Sequence, residues 1–67
     1  MKKYQYWSLD TLRKKRKSLL ENIEEWNKVL SETKSALIQL SLTHYIKRAK
    51  EEIRAIDAEL CYREQSL

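Results

Sequence analysis

Sixty-seven residues pass without a single glycine or proline. Ordinary usage, about 7% Gly and about 5% Pro, would place roughly eight of them in a chain of this length. Such a chain has no cheap route to positive-φ corners, tight hairpin turns or strand breaks. It is rich instead in Leu, Lys, Glu, Arg, Ala and Gln, the residues that lose least on entering a helix. An all-α fold follows before any periodicity is considered.

Length restricts the fold further. One hydrophobic core in a chain this short supplies only about 3–5 kcal/mol, and small folds add disulfides, a metal or a second copy. Cys61 is the only cysteine and His44 the only histidine, so neither an internal disulfide nor a zinc cluster is available. Association is the remaining option, so the expected partner is a second copy, with a larger protein as a further possibility. A lone cysteine suits a reducing compartment. Met1 to Trp7 carries no apolar segment of the secretory type, and no aliphatic run approaches the ~20 residues of a membrane span. These features predict a soluble cytoplasmic protein with no membrane, cofactor or small-molecule substrate.

Two apolar stripes organise the chain. The first runs through Leu9, Leu12, Leu19, Ile23, Trp26 and Leu30 at spacings of three and four. Its one vacancy, position 16, is filled by arginine. Ser8 is a good N-cap, Asp10 favours the positive end of the dipole, and Trp7 is placed to staple onto Leu12. The second stripe runs Leu42, Ile46, Ala49, Ile53, Ile56, Leu60 and reaches Leu67 if Arg63 is skipped. The stripes are out of phase, and Ser31-Glu-Thr-Lys-Ser35 supplies hydroxyls that turn a chain without glycine. The reading is therefore one antiparallel two-helix hairpin: an N-terminal arm over 1–7, helices at about 8–31 and about 35–64, and a turn at about 31–35. A turn at Ser41–His44, or one long helix with a phase slip, are the rivals. The hairpin is expected to dimerise into a four-helix bundle.

Ala36 to Leu42 is apolar nearly all round, five residues in seven, and asks for cover beyond a two-helix seam. It contributes Leu37, Ile38, Leu40 and Leu42 to the expected partner or dimer interface. The stripes add Leu19, Ile23, Trp26 and Leu30 from the first helix, and Ile46 and Ile53 from the second.

The net charge of +4 is distributed in blocks, +6 over residues 1–17, −3 over 18–33, +3 over 34–54 and −2 over 55–67. The run Arg13 to Lys17 dominates the first block. Five successive helical residues sweep about 400°, so the run does not form a one-sided stripe, and Arg16 falls in the seam, where it must snorkel or find a carboxylate. In a hairpin turning near 33, residues 13–17 are expected beside 49–54. Arg13, Lys14, Lys15, Lys17, Lys47 and Arg48, with Lys2 and Lys3, are the candidates for phosphate contact if the chain binds RNA or DNA. A solvated, partly paired surface is the plainer reading. Tyr4 and Tyr6, aromatic rings of the kind that stack on bases, are expected instead to cover Tyr62.

Catalytic parts are missing from the pattern. Without glycine there is no phosphate-cradling loop and no nucleophile elbow. Glu51 and Glu52 point about 100° apart on a helix. His44 reads as a surface residue and Cys61 as a half-buried thiol beside the core line. The expected class is a non-enzymatic interaction module, a small regulator or inhibitor acting as a homodimer, with a nucleic-acid-binding dimer as the alternative. In architecture alone this hairpin is similar to the plasmid copy-control RNA-binding hairpins, which dimerise into four-helix bundles. It shares no motif with them.

Overall fold

The computed structural model describes residues 4–65. Lys2, Lys3 and Leu67 lie outside the described residues. Two helices, α1 (Leu9–Glu32) and α2 (Ala36–Gln65), pack against one another as an antiparallel hairpin. The molecule measures 48 × 21 × 16 Å, a rod two helices wide.

Local chemistry sets each helix end. The hydroxyl of Ser8, whose backbone is extended at φ −68° and ψ 155°, accepts from the amide of Thr11 at 3.1 Å and donates to the Thr11 hydroxyl at 2.7 Å. At the far end Thr33 leaves the helix at φ −81° and ψ 143°, its amide still donating to the Val29 carbonyl. The Thr33 hydroxyl accepts from the Ser35 amide, and the Ser35 hydroxyl accepts from the Ile38 amide. The Gln39 side chain donates back to the Thr33 carbonyl at 3.1 Å. Hydroxyl and amide groups thus satisfy backbone groups that a helix end otherwise leaves open. Among the described residues none needs a positive φ. The segment Ser41–His44 lies inside α2.

The core is the meeting of the two stripes. Leu12, Leu19 and Ile23 from α1 meet Ile46, Ala49 and Ile56 from α2, with Trp7, Trp26, Leu30, Ile53 and Leu60 packed around them. Leu12 and Ile56 have no exposed surface.

The N-terminal arm departs from expectation. Tyr4 joins the core rather than covering Tyr62, and its ring stands edge-on to Trp7 at 4.8 Å and 88°. Tyr6 is exposed. The arm turns back on itself, the Trp7 amide donating to the Tyr4 carbonyl at 3.2 Å. Arg63 then clasps it: the guanidinium donates to the carbonyls of Tyr4, Gln5 and Trp7, and its Nε donates to the buried Glu59 carboxylate at 3.2 Å. The position where the apolar stripe lapses is the one that ties the arm down.

Candidate interaction surface

The hairpin consumes most of the residues expected to face a partner. Leu19, Ile23, Leu42 and Ile46 are buried within the single chain, and Trp26, Leu30 and Ile53 are half-buried. Trp26 also stacks on Tyr45, with ring centroids 5.9 Å apart. Three of the ten remain outside: Leu37 is 78% exposed, Leu40 70% and Ile38 47%.

Helical geometry explains the division. At about 100° per residue, Leu42 and Ile46 point toward α1, whereas Leu37 and Leu40 fall on the opposite side of α2. Ile38 lies on the flank between. One partner helix covers only part of the circumference, and a segment apolar on every side keeps part of its surface in water. Scattered exposed leucines are ordinary; adjacent ones in the first turns of α2, beyond reach of α1, form a patch.

The basic residues take a different arrangement from the expected one. Arg16 pairs with Asp57, Nε to carboxylate at 2.6 Å, so residues 13–17 lie beside the late part of α2 and not beside 49–54. Lys47 and Arg48 are then about 15 Å further along the axis, ten residues at 1.5 Å each. They do not extend the Arg13–Lys17 cluster; they lie level with the acidic Glu21–Glu25 stretch of α1, but on the side of α2 turned away from it. Lys14 is already paired with Asp10 at 3.0 Å. Arg13, Lys15 and Lys17 are exposed. Arg16 itself is anchored in the seam, as its place in the stripe requires.

A shallow groove on α2 is lined by Ile46, Lys47, Lys50 and Arg54, with Glu51 and Thr43. A second is lined by Tyr4, Arg48, Glu51, Glu52 and Ala55. Both mix charges of opposite sign on an open surface, unlike the enclosed, largely apolar sites that hold small ligands. Among the described residues no three His, Cys, Asp or Glu side chains converge as metal ligands, and no helix is long and apolar enough to cross a membrane. His44 is exposed, its ring 6.2 Å from that of Tyr45. Cys61 is exposed rather than half-buried, because a two-helix seam covers a narrower arc than a thicker core.

Sequence reasoning identified the apolar start of α2 but missed Arg63 and Glu59. The available signal was their i,i+4 spacing on the core side of the helix. No protein-family model, curated protein or solved structure matches the chain.

Proposed function

We propose that this chain is a non-enzymatic protein–protein interaction module, a small regulator or inhibitor that works as a homodimer of hairpins. The observation that carries the reading is the exposed patch of Leu37 and Leu40 on the side of α2 away from α1, with the half-exposed Ile38 on its flank. Each such side chain gains about 1.5–3 kcal/mol when fully covered. Among the described residues, a rod two helices wide holds nothing further with which to cover them. Pairing with a second hairpin gives an assembly of four helices, and the surface left outside serves for docking on a larger protein.

Light scattering on the wild type and on a Leu37→Asp, Leu40→Asp variant tests this. Both positions are exposed, so the variant should keep its helicity; it should be monomeric where the wild type is dimeric. Equal masses at all concentrations would remove the reading. Nucleic-acid binding draws on weaker support, because the six candidate cations split into two groups along the rod. If the chain uses Arg13, Lys15 and Lys17 on phosphates, affinity for duplex RNA or DNA must fall steeply with salt. Failure to bind at low salt eliminates it.

A further inference from the structure

The side of α2 that faces away from α1 carries more than the apolar patch. Following Leu37 and Leu40 at spacings of three and four come His44, Arg48 and Glu51, and then Ala55, Ala58 and Tyr62. All are exposed and all lie within about 80° of arc. The order along this face has three properties. Its first part is bulky and apolar, through Leu37 and Leu40. Its last part offers two alanines beside Tyr62, which is 56% exposed. Its middle carries a cation at 48 and an anion at 51, one on each side of the midpoint.

We infer that two copies of this chain associate through this outer face of α2, the two α2 helices antiparallel about a twofold axis passing between residues 49 and 50. This deepens the homodimer reading above and rests on it. In that register Leu37 of one copy packs beside Tyr62 of the other, Leu40 lies over Ala58, and His44 meets Ala55. Arg48 meets Glu51 twice, once on each side of the axis, with Lys47 at the edge adding a second cation near the same carboxylate. At the Leu40–Ala58 and His44–Ala55 contacts a larger side chain falls against an alanine, which lets the helices approach closely and interdigitate there. The alternation of three and four is the spacing that keeps two helices in contact over a long stretch. Here the stretch is about 37 Å, twenty-five residues at 1.5 Å each.

Two alternatives fit the face less well. A parallel pair in register would set Arg48 on Arg48, Glu51 on Glu51 and Leu37 on Leu37, with like charges opposed and the alanines facing one another across a gap. An unrelated partner would give no reason for charge and bulk to complement each other about the middle of the helix. An isologous contact requires that complementarity, because each residue i that meets j must also be met by it. Since the face lies opposite the intrachain seam, the four helices stand in one layer, with the α2 pair inside and α1 at each edge.

Charge reversal gives the test. Arg48→Glu alone places glutamates against Glu51 at both symmetric contacts, and Glu51→Arg alone places arginines against Arg48. Each single variant should self-associate about tenfold more weakly than wild type by sedimentation equilibrium. An equimolar mixture of the two variants restores both contacts in the heterodimer, so its association should return to within about threefold of wild type. Circular dichroism monitors the hairpin throughout. A wild-type dimer whose association ignores both substitutions, or a mixture no stronger than its components, overturns this register while leaving self-association intact. A wild-type chain that stays monomeric up to its solubility limit removes the homodimer reading and this contact with it.

Discussion

Replacing Arg63 by alanine is expected to release the N-terminal arm and to lower stability by about 2–3 kcal/mol. The magnitude comes from what the guanidinium holds. It donates to the Glu59 carboxylate at 3.2 Å and to the carbonyls of Tyr4, Gln5 and Trp7. The three carbonyls share one nitrogen, which has two hydrogens, so they count as no more than two bonds. A hydrogen bond to a charged group contributes about 1.5–3 kcal/mol. The Arg63 side chain is 27% exposed, which places the arm bonds and the ion pair together near the middle of that scale. The Glu59 side chain, 9% exposed, would be left without its cation. Tyr4 and Trp7 would lose the tie that holds their T-shaped pair against the core. Such a loss is comparable to the ~3–5 kcal/mol that one core supplies in a chain this short. At about 4–8 °C per kcal/mol it lowers Tm by about 10–20 °C. Urea unfolding followed by circular dichroism measures the change. Trp7 emission, isolated in a Trp26→Phe background, reports the arm, and in the Arg63→Ala chain its red shift should precede loss of helix. Arg63→Lys, which keeps the charge but not the fork, should fall between the two. A stability change below about 0.5 kcal/mol, with Trp7 emission and helicity lost together, would refute the clasp.

Leu12→Ala and Ile56→Ala each remove a side chain with no exposed surface and should each lower stability by about 2–5 kcal/mol in the same urea titration, against less than about 0.5 kcal/mol for Leu20→Ala at the seam's edge. Arg16 and Asp57 are 41% and 48% exposed, so a double-mutant cycle with Arg16→Ala and Asp57→Ala should give a coupling of only about 0.2–1 kcal/mol, shrinking further in high salt. Cys61 is exposed. In the antiparallel pair the two thiols lie about 34 Å apart, far beyond the ~7 Å limit for Cα atoms in a disulfide, so mild oxidation should not crosslink the dimer; rapid, complete crosslinking on a non-reducing gel would contradict this register.

The two-helix architecture was written in the sequence because its signals are local. Two stripes at alternating spacing, Ser8 at one helix start and the hydroxyl cluster of 31–35 between the stripes specify two helices and a turn that needs no glycine. Arg16 was legible in part, since a cation in an apolar stripe must snorkel or find a carboxylate. Which acid was not legible. The structure sets Arg16 beside Asp57, about one to two turns from where a hairpin folded at 33 would place it. The arm escaped for a different reason. Tyr4 to Trp7 has no periodicity to read, and its place depends on a guanidinium nearly sixty residues away. The interface expectation mixed two surfaces, because residues such as Ile23 and Ile46 can be covered either by the other helix or by another chain. Only the packed hairpin separates those it covers from Leu37 and Leu40, which it leaves in water.

Sedimentation equilibrium on the wild-type chain over a dilution series, with helicity recorded at every concentration, bears most directly on the idea that the outer side of α2 needs a second copy. A helical dimer at micromolar concentration that dissociates on dilution is the predicted result. A fully helical monomer throughout the series would contradict it.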